Sequence, residues 1–307
     1  MLSLDREAWL VQADGEAPEA LAVALPRASL RTASPAGVAD GRRFRLRRGR
    51  LVVTEEALHE ARTADALAEL ALSGVRLLRP RDYYELTRRR VLLDELDEAW
   101  FLFDRPPRLR LVYAAVKTLV DVLTGLVGSI LAVLLTPAVW LWYRLGRPED
   151  RGPVFYVQER TGLRGRPFRM VKFRTMRVDA EADGPVWARV GDDRVTRLGR
   201  LLRSTHLDEL PQFFNVLRRE MSLIGPRPER PVFVRLLGRA IPYFDRRHLV
   251  RPGVTGWAVV RFGYSDSIRD KWIIHEHDLY YLKHRSVLLD LEIAVRTVLV
   301  MLERRGQ

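Results

Sequence analysis

The sequence predicts a helix-rich α/β protein, leaning toward α+β, in which a membrane-embedded re-entrant helix hairpin is attached to a compact cytosolic domain and preceded by a small α/β extension. Three observations carry that prediction. A charge-free apolar run extends from Val122 to Tyr143, alternating strand and helix patterns lie on its N-terminal side, and a basic, motif-dense segment follows Gly146. They divide the 307 residues into 1–105, 106–146 and 147–307.

In the extension, the first forty or so residues are rich in Ala, Pro and Gly and define no element. Arg50-Leu-Val-Val-Thr reads as a strand, Ala61 to Ser73 as an amphipathic helix, and Gly74-Val-Arg-Leu-Leu as a second strand before Pro80. No Gly-rich phosphate loop is visible, so the extension is assigned no nucleotide and reads as a regulatory or oligomerisation module.

The apolar run is about twenty residues, the length that crosses a hydrocarbon core as a helix. Arg105, Arg108, Arg110 and Lys117 precede it and Arg144, Arg147 and Arg151 follow. Because basic residues favour the cytoplasmic face, positive charge on both flanks suits a helix that enters and returns on one side. Pro137 removes a backbone donor and frees the Val133 carbonyl, a break that Thr136 can help satisfy with its hydroxyl. A kinked helix spanning the bilayer is the competing reading. In either case Trp140, Trp142 and Tyr143 are expected at an interface.

Fifty-two Lys and Arg against 39 Asp and Glu leave a net charge of +13. That surplus calls for an anionic partner: nucleic acid, an anionic lipid surface or a phosphorylated substrate. The absence of cysteine excludes a disulfide framework, a thiolate zinc site and a thiol nucleophile. The opening Met1-Leu-Ser-Leu-Asp-Arg-Glu lacks the basic-then-apolar order of a secretory signal, so the N-terminus is expected to stay in the cytoplasm.

Beyond the Pro/Gly/charge linker from Gly146 to Pro153, Val154-Phe-Tyr-Val-Gln-Glu-Arg-Thr-Gly reads as a strand and turn, and Phe168-Arg-Met-Val-Lys-Phe-Arg as a second strand. Alternation would project Lys172 and Arg174 from one face, where an ammonium and a guanidinium can hold a diphosphate; a solvated basic strand face is the plainer alternative. A short amphipathic helix follows, with Arg197, Arg200 and Arg203 off its core side. Asp208 and Glu209 come next, ahead of Pro211 in the first turn of another helix. Near a helix N-terminus and several arginines both carboxylates are expected to be ionised, one as a nucleophile toward phosphorus and the other as a metal ligand or positioning group. The competing reading makes Thr205-His-Leu-Asp a capping box. Arg227 is fixed between two prolines, which restricts its backbone and suits it to an anion at a reacting centre. Arg251-Pro-Gly-Val-Thr-Gly-Trp offers a rigid turn.

The order and wording of Gln158-Glu-Arg-Thr-Gly, Lys172-Phe-Arg-Thr-Met, Leu207-Asp-Glu-Leu-Pro-Gln, Asn215-Val-Leu, Met221-Ser-Leu-Ile-Gly-Pro-Arg-Pro and Arg251-Pro-Gly-Val-Thr-Gly-Trp closely resemble the bacterial sugar transferases, the monotopic polyprenyl-phosphate phosphoglycosyl transferases. The resemblance runs from about Lys117 to Glu303. It implies transfer of a sugar 1-phosphate from a UDP-sugar to undecaprenyl phosphate with release of UMP, as the first membrane step of exopolysaccharide, O-antigen or capsule assembly. It further implies Mg²⁺ as cofactor and an Asp-Glu pair: Asp208 as nucleophile, Glu209 as positioning group, and both as metal ligands. Lys172, Arg174, Arg203, Arg227, Gln158 and Arg160 would bind phosphate and nucleotide, inner-membrane lipid would surround the apolar helix, and Thr136-Pro137 matches the break of the family's re-entrant helix. At the C-terminal end, Asp278-Leu-Tyr-Tyr and the amphipathic Leu288 to Leu302 resemble the family's closing segment, with Trp272, Tyr280 and Tyr281 expected at the lipid interface. Longer family members carry several spanning helices and a Rossmann-like domain; here only Arg50 to Phe103, including Leu96-Asp-Glu-Ala-Trp-Phe, resembles the tail of that domain.

His275-Glu-His and His206 invite a metal site and a phosphoryl acceptor, but the first lacks further ligands and the second is displaced by Asp208, which matches the family position. A nucleic-acid-binding protein would account for the charge and leave the apolar run unexplained, so no nucleic-acid partner is expected. An inactive membrane-anchored scaffold of a polysaccharide assembly complex is the alternative function. A homodimer is left open, and the sequence does not identify the sugar.

Overall fold

Parallel strands need long crossover connections, and the N-terminal unit is built on that rule. The computed structural model describes residues 8–11, 30–33, 50–54, 57, 61–96, 107–146, 151–182, 184, 192–263 and 267–303. The linker positions 147–150, the flanking arginine at 105 and the residues after Leu96 in the Leu-Asp-Glu-Ala-Trp-Phe segment lie outside them. Strands β1 (Ala8–Val11), β2 (Leu30–Ala33), β3 (Arg50–Val53) and β4 (Arg76–Leu78) pair in parallel in the order β2-β1-β3-β4. Helix α1 (Ala61–Leu72) crosses from β3 to β4. Leu51, Val53, Ala57, Leu67 and Val75 form the buried core of this unit, and α2 (Pro80–Arg88) follows with Pro80 in its first turn. The pattern predicted β3, α1 and β4. It missed β1 and β2, which are four residues each and set among Ala, Pro and Gly. The chain divides between Asp97 and Glu98 into two units.

The second unit opens with α3 (Pro107–Leu145), 39 residues in one helix. It is the one described helix long and apolar enough to cross a membrane. The helix continues through Pro137, where the Thr136 hydroxyl donates to the Ala132 carbonyl at 2.7 Å. A single stripe is buried along its length, through Asp121, Gly125, Gly128, Ala132, Val139 and Tyr143, at the three- and four-residue spacing of one helix face. Gly128 is required for that contact, since a Cβ there would lie 2.2 Å from the Phe213 ring. The remaining faces expose Leu123, Ile130, Leu134, Trp140 and Trp142. Tyr143 departs from the expected aromatic belt: it is buried, and its hydroxyl donates to the Arg174 carbonyl.

Strands β5 (Phe155–Thr161) and β6 (Pro167–Phe173) form an antiparallel hairpin that pairs Tyr156 with Lys172 and Gln158 with Met170. Helices α4 (Arg197–Ser204) and α5 (Gln212–Leu217) follow, joined by a 3₁₀ turn at Leu207–Glu209. Strand β7 (Ser222–Ile224) pairs in parallel with β8 (Gly253–Thr255), with α6 (Pro231–Ala240) and a 3₁₀ segment, Phe244–Leu249, between them. Arg251-Pro-Gly-Val-Thr-Gly-Trp is therefore more than a connection. A Cβ on Gly253 would sit 2.1 Å from the Gly225 nitrogen, so only glycine lets this strand clamp the Gly225-Pro226 turn, which it holds by Gly253 N–H to Pro226 O at 2.9 Å.

Helices α7 (Trp257–Arg261), α8 (Ile268–His284) and α9 (Val287–Leu302) close the unit. Tyr280 and Tyr281 are buried, Tyr281 to 1% exposure, and Trp272 is half-buried, so these tyrosines are core residues in place of the lipid-facing ones expected. Tyr281 is drawn inward because its hydroxyl donates to Asp290 at 2.9 Å and receives the Lys117 ammonium at 3.2 Å. The exposed apolar residues of α9 include Leu288, Leu291, Val295 and Leu302. His275 and His277 lie on α8, where residues two apart point about 200° from one another.

Candidate active site

Local capping decides where the two adjacent carboxylates point. Thr196 starts α4 by accepting the Gly199 N–H at 2.9 Å, and Leu198 and Leu202 seat the helix on Val139, Tyr143 and Phe173. Arg197 and Arg200 are exposed on its outer side. At its end Thr205 donates its hydroxyl to the Leu201 carbonyl at 2.8 Å, which removes the capping-box alternative. His206 then takes a left-handed conformation, φ +56°, and turns the chain into the Leu207–Glu209 3₁₀ turn. Leu207 and Leu210 pack against the α3 and α4 cluster, leaving Asp208 and Glu209 directed to the other side. The His206 Nε2 is buried without a hydrogen-bond partner, so it is closed to an incoming phosphoryl group.

One oxygen of Glu209 gathers two cations from distant elements. The Lys172 ammonium on β6 lies 2.8 Å from Oε1, and the Arg227 guanidinium lies 2.5 Å from the same atom. Burial raises the Glu209 pKa, yet Arg227 and Lys172 outweigh it and hold the carboxyl well below the usual range. Asp208, 8% exposed, shifts the opposite way. Burial pushes its pKa up, Lys172 opposes, Glu209 adds to the rise, and Arg203 and Arg227 oppose it further. The two adjacent carboxylates therefore differ, because Glu209 bonds the cations directly while desolvation is the largest influence on Asp208.

Asn215 fixes the register between these elements. Its amide donates to the Arg169 carbonyl and to Glu220, each at 2.7 Å, and its Oδ1 accepts the Val171 N–H at 3.2 Å, so α5 is tied to the strand residues on either side of Met170. Lys172 thereby reaches the Glu209 turn.

Arg174 does not share a face with Lys172. Strand β6 ends at Phe173, and the Arg174 side chain turns inward, donating to the Pro153 carbonyl at 2.7 Å and the Met176 carbonyl at 3.0 Å and stacking 4.1 Å from the Tyr143 ring centroid. It binds the hairpin base to α3. Arg203 donates from Nε to Thr175 Oγ1 at 3.0 Å and contributes positive potential at Asp208. Gln158 and Arg160 act at the Arg227 turn: the Arg160 guanidinium bonds Gln158 at 2.5 Å and the Pro228 carbonyl at 3.1 Å, and burial lowers its pKa to about 10.

A second charged cluster lies behind that turn, unforeseen from the sequence. Arg247 donates to the Arg227 carbonyl at 3.0 Å and to Asp278 at 2.6 Å, while Lys271 donates to Glu229 at 2.5 Å. Arg247 comes from the 3₁₀ segment and Asp278 and Lys271 from α8, so no sequence spacing announces the grouping; Asp278-Leu-Tyr-Tyr was the one visible sign. Among the described residues no three His, Asp or Glu side chains converge as a metal cage. Asp208 and Glu209 still supply two hard oxygen donors, which fits Mg²⁺, an ion that keeps several waters and binds through one or two carboxylates plus substrate phosphates.

Residues 112–304 match the family described as bacterial sugar transferase. The chain is 40% identical over 242 residues to the UDP-N-acetylgalactosamine-undecaprenyl-phosphate N-acetylgalactosaminephosphotransferase of Aeromonas hydrophila, covering 78% of this chain and 55% of that protein. It is 38% identical over 199 residues to the UDP-glucose:undecaprenyl-phosphate glucose-1-phosphate transferase of Klebsiella pneumoniae, covering 64% of this chain and 42% of that one. A Caulobacter vibrioides protein of the same description is 38% identical over 180 residues, covering 58% and 67%. The chain spans 55% of the length of the Aeromonas relative and less of the Klebsiella one.

Proposed function

The chain belongs to the bacterial sugar transferase family, and from that premise we propose that it transfers a sugar 1-phosphate from a UDP-sugar to undecaprenyl phosphate. The observation that carries the reading is the pairing of Asp208, which forms no ion pair among the described residues, with a Glu209 that concentrates Lys172 and Arg227 beside it. Asp208 Oδ attacks the β-phosphorus of the donor, the bond to the bridging oxygen breaks, and UMP departs with that electron pair. An oxygen of the lipid phosphate then attacks the same phosphorus and expels the Asp208 carboxylate, giving the lipid diphosphate sugar. Glu209 holds the two cations in place. Lys172, Arg203 and Arg227 neutralise phosphate oxygens as charge builds. Gln158 and Arg160 orient Arg227 through its turn. Mg²⁺ held by Asp208 and Glu209 would neutralise diphosphate oxygens and favour departure of UMP.

The donor chemistry in the relatives' names is N-acetylgalactosamine in one case and glucose in two, so the sugar is left to experiment. We place the protein at the bacterial inner membrane with its second unit on the cytoplasmic face. The re-entrant placement of α3 is part of this reading: Asp121 accepts the Ser222 hydroxyl and Tyr143 packs with Leu198 and Leu202, so both ends of the apolar run meet the second unit.

The test is UMP release with undecaprenyl phosphate, Mg²⁺ and a panel of UDP-sugars, with intact-mass detection of the phosphosugar adduct. Release with one donor, an adduct on the wild type and neither with Asp208→Asn are expected. Unchanged release by Asp208→Asn would sink Asp208 as the nucleophile.

A further inference from the structure

A cavity of about 410 Å³ opens between the start of α3, the Leu163–Gly165 turn, β7, the Leu249–Arg251 segment and the end of α8. No residue of the Asp208–Glu209 centre lines it. Its lining carries Lys117, Arg164, Arg251, Lys283 and Arg285 against a single carboxylate, Asp121. That carboxylate is engaged, accepting the Ser222 hydroxyl at 2.9 Å and the Leu223 N–H at 2.8 Å. The Arg251 Nε is buried and has no hydrogen-bond partner, a donor withheld from water and left for something else.

The surroundings are apolar. Leu249, itself in the lining, is exposed. Tyr113 and Lys117 on α3 both bond Asp290 on α9 at 3.0 Å, which brings the two helices together at the cavity. Beside those contacts Leu111 and Val112 of α3 and Leu288 and Leu291 of α9 are exposed, Leu288 to 78%. A soluble anion has no use for such a rim, whereas an amphiphile can seat its phosphate among the cations and lay its hydrocarbon along the two helices.

We propose that this cavity captures the phosphate of the acceptor lipid on its way to the reacting centre, an assignment that rests on the transfer reaction proposed above. The Ile224 carbonyl forms part of the wall, where it accepts the Lys117 ammonium at 2.9 Å, and Arg227 is three residues further on, within about 10 Å of chain. The strand and turn that wall the cavity thus lead directly to the residue whose guanidinium reaches Glu209.

The two half-reactions separate the possibilities. Rapid-quench measurement of UMP without lipid reads attack by Asp208 alone; steady-state turnover against undecaprenyl phosphate reads the lipid step. Arg251→Gln, with Lys283→Gln as a second variant, is expected to keep the full UMP burst, which also reports correct folding, while raising the KM for undecaprenyl phosphate about tenfold or more. Native mass spectrometry of the full chain from nanodiscs is expected to show one retained undecaprenyl phosphate, lost in both variants and not displaced by millimolar inorganic phosphate. An unchanged KM and retention in both variants overturns the proposal. So does displacement by inorganic phosphate, which would mark a soluble-anion site, or equal retention of phosphatidylglycerol, which would mark a general lipid site. A wild type with no UMP burst from any donor removes the transfer reading instead, and the retention arm still decides whether the cavity holds a lipid phosphate.

Discussion

Two clusters of carboxylates and cations share Arg227 and are built on opposite principles. Around Asp208 and Glu209 stand Lys172, Arg203 and Arg227, so positive charge is in surplus, and Arg227 is 47% exposed. Behind the turn, Asp278 and Glu229 are matched by Arg247 and Lys271, and the Arg247 and Asp278 side chains are each 2% exposed. Burial lowers the neighbouring His275 to about 3 and His248 to about 4, so these imidazoles stay neutral and add no charge there. A balanced buried cluster neutralises itself and serves to hold the backbone at Arg227. A cluster with cations to spare at an accessible edge is completed by an anion from outside.

Exchanging charges across the two clusters tests that contrast. Asp208→Asn is expected to cut UMP release by about 10⁴-fold or more without lowering the melting temperature, because the lost carboxylate is one that burial disfavours. Arg247→Met is expected to cost about 3–5 kcal/mol in denaturant unfolding, since it strands the Asp278 carboxylate in the interior. A loss of activity with no loss of stability in Arg247→Met would put Arg247 in the reacting cluster instead. Arg227→Lys keeps the charge and loses the planar fork, and about a hundredfold fall in kcat/KM with unchanged unfolding is expected.

The two smallest effects are read from pH. Lys172 holds the Asp208 pKa down against burial, so Lys172→Met is expected to move the acid limb of kcat/KM to higher pH. In the balanced cluster burial lifts Asp278 from 3.8 to about 6, so the native state binds its proton more tightly than the unfolded chain. The stability this group contributes is full below pH 3.8 and is lost as pH rises through about 6. Melting temperatures across that window should therefore fall in the wild type relative to Asp278→Asn.

Much of this site was legible in the chain. Lys172, Asp208, Glu209 and Arg227 stood out because each sits in a short motif whose local chemistry, a strand cation, paired acids before proline, an arginine between prolines, is complete within a few residues. Arg174 shows where local reading stops: two-residue alternation holds only inside a strand, and β6 ends one residue before it. Tyr143, Tyr280 and Tyr281 were misplaced for a related reason, as an aromatic residue near an apolar segment can face lipid or core, and only the partners of its hydroxyl decide.

By itself, the sequence determined the elements whose information is local: the hairpin, the arginine-bearing α4, the apolar α3, and the family that the motifs resemble. Tertiary structure decided what depends on distant partners. It set the opposite shifts of Asp208 and Glu209, the Asn215 tie, the Arg247–Asp278 support and the cavity beside Lys117. These arise where segments dozens of residues apart meet, and electrostatic energy depends on distance and burial in space, for which position along the chain is no substitute.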